Sequence, residues 1–373
     1  MHINKNRRSR WACLAMVMVM LVCLPAIGSD GFFFFTPDRE NAVFDLDKPV
    51  PQDALYFKDI DNRPYLTGMY YQFDNEDGSD FFCHFLYMDM GYGIKRLGLD
   101  YKLKRKDGTM VYFGRKYELS ESNLGRDHFE FKVGPNIVNG DHKYHHLKIV
   151  DGPVKADVVL KTEVPFYRVG EEGKHCLTYE CKEFGVITYF PLFSVTGTVE
   201  ENGKKTMVSG WGYGNRSIQT HTDPNFTNFH TALRWQKDGL GFDLHDYTTL
   251  AGEWLPILMV YNNGKMIHVS QSYKKENIEF YKEPRSGKRI PIGYKIVSEG
   301  HGVKVQIEFT GVKLTDYNDP LVVLSPIEKS IVQLFVHAPL DMRFDGHVKL
   351  TLNTKTGTVV KEGPAHGLAL MAK

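Results

Sequence analysis

Asp243, His245 and Asp246 lie within four positions of one another and are the group of side chains best suited to acid–base chemistry in this sequence. On a β-strand, Asp243 and His245 point to one face and Asp246 to the other, because successive side chains alternate. A carboxylate beside an imidazole can exchange a proton with a substrate, which is what a general acid–base pair does. The same alternation with apolar neighbours is also typical of the polar face of a half-buried strand. The sequence leaves both interpretations open.

A glycine-rich run lies upstream of this group. Gly210, Gly212 and Gly214 alternate with Trp211 and Tyr213. On a strand, this spacing places both aromatic rings on one face and leaves the other face without side chains. A bare face of this kind either lies against a ligand or marks a barrel corner, where glycine relieves crowding.

Five aromatic residues near these two groups are candidates for lining a pocket. Aromatic side chains supply a large apolar area with few rotamers, which suits the binding of an apolar ligand. The alternative is that the same rings pack the protein core. The candidate ligand-binding residues are Trp211, Tyr213, Trp235, Tyr247 and Trp254.

Three histidines form the best candidate for a metal site. His142, His145 and His146 have a spacing that could bring two imidazoles to one ion. Their segment follows an Asn-Gly pair, is rich in charge and has no cysteine or glutamate nearby to complete a ligand set. We therefore interpret it as the solvated start of a strand and predict no metal and no cofactor. Phosphate-binding loops, dinucleotide fingerprints and serine-nucleophile motifs are also missing from the sequence.

Strict polar–apolar alternation predicts several β-strands with one polar and one apolar face. The clearest stretches are 128–133, 154–158, 303–309 and 348–352. Asn-Gly and Asp-Gly pairs punctuate the chain and favour two-residue hairpin turns. Their first residues are Asp77, Asp107, Asn139, Asp151, Asn202, Asp238, Asn263 and Asp345. Many short antiparallel strands at this spacing predict an all-β protein, either a sandwich or a closed barrel.

The length of 373 residues is comfortable for two domains. A Lys-Asp-Gly hairpin occurs once in each half, at 105–108 and at 236–239, and each precedes an apolar strand. This short repeat predicts two similar halves. The polar run 219–228, which contains Pro224, is the expected boundary. The predicted domains are therefore 29–222 and 223–373.

Three stretches together resemble the AttH and hydroxyneurosporene synthase (carotenoid 1,2-hydratase) superfamily. They are Thr-Gly-Thr-Val at 196–199, Gly-Trp-Gly-Tyr at 210–213 and Leu-Arg-Trp-Gln-Lys-Asp-Gly at 233–239. The resemblance covers most of the chain in pattern and extends to double lipocalins of the yeast survival-factor type. It implies two lipocalin-like (calycin) antiparallel β-barrels in tandem. It also implies an apolar interior or an inter-barrel cleft that accepts an isoprenoid-like or acyl-chain ligand.

The hydratase branch of that superfamily is expected to protonate an alkene with an acidic side chain. The chain departs from that branch, because it continues as Gly-Asn-Arg-Ser at 214–217, where the branch carries acidic and His-rich residues. Asp243 and His245 are the candidate catalytic residues that remain. The predicted function is the binding of a small apolar ligand. The alternatives are an enzyme of lipid or isoprenoid metabolism (hydratase, isomerase or cyclase) and a structural or surface-interaction protein.

The first 28 residues are typical of a secretory signal peptide, with four basic residues before an apolar stretch at 11–24. The predicted location is periplasmic or secreted, and the alternative is a membrane anchor formed by an uncleaved N-terminal segment. Peripheral membrane contact is compatible with both. Loss of residues 1–28 lowers the basic residues from 46 to 42 against 45 acidic ones, a net charge of −3. This balance argues against a nucleic-acid partner.

Three cysteines remain after this segment, which is an odd number. Cys176 and Cys181 are the closest pair in sequence, and a disulfide between them requires a turn at 177–180. The same segment is equally compatible with a strand. Cys83 then keeps a free thiol if that pair forms. The sequence does not decide between these states.

Overall fold

The computed structural model describes residues 44–48, 50–61, 65–89, 95–169, 174–176, 184–220, 227–249, 254–284, 287–318 and 340–371. Their regular structure consists of β-strands and two short 3-10 segments, Gln52–Leu55 and Leu119–Glu121. The all-β prediction is confirmed. No helix among these residues is long and apolar enough to cross a membrane. The predicted signal peptide lies outside the described residues.

The first half of the chain forms a 13-stranded antiparallel sheet that curls into a nearly closed barrel, called barrel A. Its strands are β1 (Tyr65–Asn75), β2 (Asp80–Asp89), β3 (Lys95–Lys104), β4 (Met110–Tyr117), β5 (Ser122–Leu124), β6 (Phe129–Val133), β7 (Asn136–Gly140), β8 (Tyr144–Ile149), β9 (Val154–Val164), β10 (Tyr167–Arg168), β11 (Lys174–Cys176), β12 (Phe184–Glu201) and β13 (Lys204–Gln219).

The second half forms a nine-stranded antiparallel sheet, called barrel B. Its strands are β14 (Thr227–Lys237), β15 (Leu240–Thr249), β16 (Trp254–Asn262), β17 (Lys265–Ser270), β18 (Lys274–Lys282), β19 (Arg289–Gly300), β20 (Val303–Asn318), β21 (Leu340–Thr354) and β22 (Gly357–Met371). Barrel A ends at Gln219 and barrel B begins at Thr227. The predicted boundary after residue 222 falls between them, at residues outside the described ranges.

The two barrels have the same strand order. In each, the first four strands form a meander, and the first strand also pairs with the last, as β1 does with β13 and β14 with β22. The two Lys-Asp-Gly hairpins do not occupy equivalent places in this repeat. The hairpin at 105–108 joins the third and fourth strands of barrel A, whereas that at 236–239 joins the first and second strands of barrel B. The strand order is thus repeated in the two halves, whereas the Lys-Asp-Gly motif is not part of that repeat.

Three of the predicted Asn-Gly and Asp-Gly turns are two-residue hairpin turns with positive φ at both positions. They begin at Asn202, Asp238 and Asn263. The pairs at Asp77, Asp107 and Asp151 also lie between paired strands, with positive φ at the glycine alone. The predictions at two further sites are wrong.

The wrong turn predictions are those at Asn139 and Asp345. Asn139-Gly140 closes strand β7, and a Cβ on Gly140 would collide with the backbone of Tyr144. Asp345-Gly346 lies inside β21, beside a register shift in its pairing with β20. At both places glycine permits close approach of a neighbouring residue, so the pair serves packing and not chain reversal.

Each barrel has its own apolar core, and a third apolar cluster joins the two barrels. Inside barrel A, aromatic rings dominate, with Tyr71, Phe73 and Phe85 almost fully buried. The third cluster contains Tyr189 and Leu192 of barrel A together with residues of β16 and β17 of barrel B. The outer faces of the two barrels therefore pack directly on one another, and polar residues on those faces are brought into a shared interface.

Candidate functional site

A row of four ionisable side chains crosses the outer face of barrel B. Arg234 of β14 is the register partner of Asp243 on one side and of His366 on the other. His366 in turn pairs with Asp345 of β21. Register partners in an antiparallel sheet point to the same face. The order Asp243, Arg234, His366, Asp345 therefore follows from strand pairing alone.

A second row crosses the outer face of barrel A. Asp74 of β1 is the register partner of Trp211 on one side and of Asp80 on the other, and Asp80 pairs with Lys104 of β3. The two rows meet where the Lys104 Nζ atom lies 2.9 Å from Asp345 Oδ2. The interface between the barrels is thus lined by two ladders of charged residues, one from each half of the chain.

Asp243, His245 and Arg234 form a closely packed buried cluster at one end of this interface. Asp243 Oδ1 lies 2.7 Å from Arg234 Nε and 3.0 Å from His245 Nε2, and the Asp243 side chain is 1% exposed. The predicted pair of Asp243 and His245 is therefore brought together on one face. Asp246 points to the opposite face, into barrel B, where Trp254, Tyr273 and Lys275 donate to it. These residues are fully buried, which rules out the half-exposed polar face considered from the sequence.

The charges in this cluster are fixed by the ion pair. Burial disfavours the charged carboxylate, but the Arg234 charge outweighs it and lowers the pKa of Asp243. In the same way the Asp243 charge overcomes burial and raises the pKa of Arg234. Burial lowers the pKa of both His245 and His230. At neutral pH the cluster therefore contains a carboxylate, a guanidinium and two neutral imidazoles.

The hydrogen bonds assign a tautomer to His245. Arg234 Nη2 lies 3.0 Å from His245 Nε2, and a guanidinium only donates, so Nε2 is the acceptor. The proton of the neutral imidazole is then on Nδ1, which donates to His230 Nε2 at 3.2 Å. Asp243 is held as the charged partner of Arg234, which suits the orientation of Arg234 better than proton donation by Asp243.

Three of the five predicted pocket aromatics lie at the interface. The Tyr213 ring lies under the Arg234 guanidinium, 4.0 Å from its centroid. Trp211 is next to Tyr213, with ring centroids 6.1 Å apart, and Tyr247 stacks on His230 at 4.2 Å. Cationic guanidinium over an aromatic face is a favourable arrangement in a desolvated site.

Trp235 and Trp254 lie elsewhere. Trp235 is 2% exposed and belongs to the apolar core of barrel B, on the opposite face of β14 from Arg234. Trp254 packs against the same core and its Nε1 donates to Asp246 at 3.2 Å. Their alternation with interface residues along each strand is what places them in the barrel interior. Core packing, the alternative considered from the sequence, describes these two positions.

A cleft opens between the barrels beside Arg234 and Tyr213. Its aromatic wall is formed by Tyr213 and Phe82, and the partly exposed side chains of Lys104 and Met110 form its mouth. The remaining lining residues are Gln72, Asp80, Lys102, Ala232, Thr315, Asp316, Arg343, Asp345, His366, Gly367 and Leu368. The space is narrow, and a ligand larger than one or two water molecules requires the side chains at the mouth to move.

Two ion pairs and a hydrogen bond beside the cleft tie the two barrels together. Lys102 Nζ lies 3.4 Å from Asp316 Oδ2 and 3.0 Å from Asp341 Oδ2. Arg343 Nη1 donates to Gln72 Oε1 at 3.0 Å, and the Arg343 guanidinium lies over the Phe82 ring. Sequence reasoning missed all of these residues. Lys102 and Lys104 do alternate on a predicted hairpin, but spacing along one strand does not reveal partners more than 200 residues away.

Two further carboxyls in the interface retain their protons more readily than usual. Burial raises the pKa of Asp74 to about 7, and it also raises the pKa of Asp80. The pKa of His366 is raised, because its 2.6 Å hydrogen bond to Asp345 and the nearby carboxyls outweigh burial. A carboxyl that titrates near neutral pH beside a cleft has the property required of a general acid. No local sequence pattern marks Asp74 for this role, because the charged groups around it come from four other strands.

The bare face of the glycine run points into barrel A and is covered by protein. A Cβ on Gly212 would lie 2.9 Å from Phe73 Cβ and 3.1 Å from Val195 Cγ2. A Cβ on Gly214 would lie 3.1 Å from side-chain atoms of Tyr71 and Phe190. The glycines therefore let aromatic rings of the barrel A core approach the strand, as in the crowding interpretation, and they do not line an open space.

Of the histidines considered for metal binding, His145 and His146 point in different directions. His145 is buried in barrel A, where the Tyr71 hydroxyl lies 2.8 Å from its Nδ1 atom. His146 points outward and lies 2.7 Å from Asp157 Oδ1. No cluster of three or more His, Cys, Asp or Glu side chains suited to a metal occurs within the described ranges. Cys83 is a buried free thiol, and the proposed Cys176–Cys181 disulfide lies outside the residues whose side chains are described.

Comparison with known proteins gives structural neighbours without sequence relatives. No protein-family model matches the chain, and no curated protein matches it. A protein assigned as AttH from Nitrosomonas europaea superposes with a TM-score of 0.60 at 14% identity, covering 87% of this chain and 97% of the other. CghA in complex with Sch210972 superposes with a TM-score of 0.54 at 10% identity, covering 91% and 98%.

The chain has the AttH-like fold of two lipocalin-like barrels. This fold is the one implied by the sequence resemblance, which is therefore confirmed at the level of architecture. Kievitone hydratase from Nectria haematococca also matches, over 83% of this chain and 89% of its own, with 10% identity and a TM-score of 0.48. At these identities the likeness establishes the fold alone.

Proposed function

We propose that the protein binds a small organic molecule in the cleft between its two barrels. The observation that carries this proposal is the position of Arg234, a buried cation that lines the cleft. Its guanidinium lies over the Tyr213 ring and forms an ion pair with Asp243. A guanidinium fixed in this way presents a polar contact, and Tyr213 and Phe82 present apolar area. The ligand is therefore largely apolar with a polar group placed against Arg234.

The core of barrel B supports a site between the barrels over a site within barrel B. The interior of barrel B is filled by packed apolar side chains. The inter-barrel cleft, by contrast, joins residues of both halves. A protein with the same fold, CghA, has been crystallised with Sch210972, which supports the ability of this fold to hold a small organic molecule.

Native mass spectrometry tests the proposal. The protein is purified from its own host and exposed again to a small-molecule extract of that host. We expect one bound organic molecule per chain, lost in Met110→Trp, because the larger ring closes the mouth of the cleft. Val360→Trp places the same ring on an exposed position of β22 and should leave binding unchanged. Equal binding by both variants would show that the cleft is not the site, and no binding by any form would favour a structural role.

A second candidate function is acid–base catalysis at the same cleft. His366, hydrogen-bonded to Asp345, lines the cleft, and Asp74, with a pKa of about 7, is the register partner of the lining residue Asp80. Asp74 and His366 are better suited than Asp243 to proton transfer near neutral pH, because Arg234 keeps Asp243 ionised. Hydratase, isomerase and cyclase chemistry all need such a donor. If the bound molecule is converted on prolonged incubation, Asp74→Asn should stop conversion while binding persists.

Export of the protein is a further part of the proposal. The basic start and the apolar stretch at 11–24 support a secretory signal, with the mature chain in the periplasm or outside the cell. An uncleaved segment would instead anchor the protein to a membrane. The intact mass of the protein from an envelope fraction distinguishes these cases, because cleavage after residue 28 removes a defined N-terminal mass.

A further inference from the structure

Arg216 is a buried cation for which the described part of the chain provides no carboxylate. It is 1% exposed and lies on the interior face of barrel A, near the end of β13. Its hydrogen bonds go to the Thr67 hydroxyl and to the carbonyl oxygens of Ser217 at 3.1 Å and Tyr56 at 3.2 Å. These acceptors are neutral. A buried charge without a counter-charge is costly, so an Arg in this position calls for an explanation.

A second arginine lies beside it. Arg168, Thr188 and Arg216 are register partners across β10, β12 and β13, and Arg168 Nε donates to the Thr188 hydroxyl at 2.7 Å. Burial and the neighbouring Arg168 charge lower the pKa of Arg216 to about 10, so the guanidinium remains charged at neutral pH. Two cations thus flank one threonine. The Asp53 carboxylate offsets part of the Arg168 charge, whereas no carboxylate among the described residues offsets that of Arg216.

One buried N–H group in this row lacks an acceptor. The Arg216 Nε atom is buried with no hydrogen-bond partner. The Tyr71 hydroxyl and the His145 ring are close to it, with 2.8 Å between the Tyr71 hydroxyl and His145 Nδ1. Tyr71 pairs with Gly214, two residues before Arg216, so these groups are neighbours on the interior face.

Aromatic rings complete the surroundings. The His145 ring lies 4.7 to 5.3 Å from the rings of Phe129, Phe166, Phe190 and Phe193. The unpaired N–H group of the Arg216 cation therefore lies in a desolvated, apolar environment. An anion with a single charge and an apolar body matches both features, because the planar guanidinium fork fits a carboxylate and the rings fit a hydrocarbon.

We propose that barrel A contains a second ligand site, in which Arg216 binds the carboxylate of a small organic acid. This site is separate from the cleft between the barrels, since Arg216 and Arg234 lie on opposite faces of the sheets that pack together. It requires a small rearrangement of the aromatic rings to admit the hydrocarbon part. The ligand class is a monocarboxylate with an alkyl or aryl body.

Isothermal titration with octanoate, octanol and inorganic phosphate tests this site on the full-length protein. We expect octanoate to bind, octanol to bind at least tenfold more weakly, and phosphate not to compete. Arg216→Met keeps the length of the side chain and should weaken octanoate binding by about 30-fold or more, as expected when a buried charge partner is removed. Arg115→Met removes an exposed arginine and should leave octanoate binding unchanged.

Two results would overturn the proposal. Equal affinity for octanoate and octanol in the unmodified protein would mean that no carboxylate is recognised, and this comparison does not depend on any variant folding. Unchanged octanoate affinity in Arg216→Met would place the carboxylate elsewhere. If Arg216→Met does not fold, Arg216→Lys retains the charge without the planar fork, and it should still weaken octanoate binding while leaving octanol binding as it is.

Discussion

Arg234 and Asp243 are cross-strand neighbours on β14 and β15, and their side chains meet with 2.7 Å between Arg234 Nε and Asp243 Oδ1 in the interface between the barrels. Neither is more than 7% exposed. Buried ion pairs of this kind add little over a matched apolar pair, but removal of one partner leaves an uncompensated charge. The pair therefore fixes the position of Arg234 at the cleft and makes both residues sensitive to substitution.

Arg234→Met should lower the free energy of unfolding by about 3–5 kcal/mol, because it leaves the Asp243 carboxylate buried without its cation. The double variant Arg234→Met with Asp243→Leu should recover most of that loss, since both charges are then gone. Urea unfolding followed by tryptophan fluorescence measures both. Arg115→Met is the matched control, because Arg115 forms an exposed ion pair with Asp151 and should change stability by no more than about 1 kcal/mol. A double variant as unstable as the single one would contradict this view.

Asp74 should make the protein less stable as the pH rises through the weakly acidic range. Its folded-state pKa of about 7 is raised above the value in the unfolded chain, so the native state holds this proton more tightly. Its favourable contribution is full below about pH 4 and is lost as the pH rises to about 7, at about 1.4 kcal/mol for each pKa unit. The surrounding charges are His366, Asp80, Lys104 and Asp345.

Asp74→Asn should remove this pH dependence and stabilise the protein at pH 7 relative to the unmodified chain. Urea unfolding at about pH 4.5, 6 and 7.5, which spans the titration range of Asp74, measures the change. Asp61→Asn is the control, because Asp61 is exposed. Parallel pH profiles for the unmodified protein and Asp74→Asn would show that Asp74 ionises in the native state as it does in the unfolded chain.

Much of the fold could be predicted from local patterns in the sequence. Period-two alternation at 128–133 and 303–309 corresponds to β6 and β20, and the Asn-Gly pair at Asn202 forms the hairpin between β12 and β13. These patterns succeed because each depends on a few consecutive residues. The turn predictions at Asn139 and Asp345 are wrong because the same dipeptide also permits close packing inside a strand, and that packing is not encoded in the dipeptide itself.

The candidate site was predictable only where it lies on a single strand. Asp243 and His245 share a face because they are two residues apart, and the sequence therefore paired them. Arg234, which sets the charge of Asp243, is the partner across the β14–β15 hairpin, and a register derived from the turn at Asp238 would have placed it there. Asp74 and His366 belong to different barrels, so their proximity depends on how the barrels pack, and no local pattern encodes that.

Lys102→Met should destabilise the contact between the barrels. It would leave Asp316 and Asp341 facing each other without their shared cation, and the Lys102 side chain is only 10% exposed. We expect a loss of about 2–3 kcal/mol, between the values for exposed and for fully buried pairs. Urea unfolding measures the loss, and Lys148→Met is the control, because Lys148 forms only a long, exposed contact with Asp157. Equal stability of the two variants would mean that the interface does not depend on Lys102.

Gly212→Ala should destabilise barrel A through crowding in its core. An added Cβ would lie 2.8 Å from the Gln72 carbonyl oxygen and 2.9 Å from Phe73 Cβ, and both are held by the β1–β13 pairing. Overpacking of this kind typically costs about 1–3 kcal/mol. Gly98→Ala is the matched control on β3, where the nearest atom is 3.6 Å away, and it should be tolerated. Thermal unfolding of the two variants measures this difference. A tolerated Gly212→Ala would contradict the crowding interpretation, because it would mean that the bare face of this strand has room for a ligand.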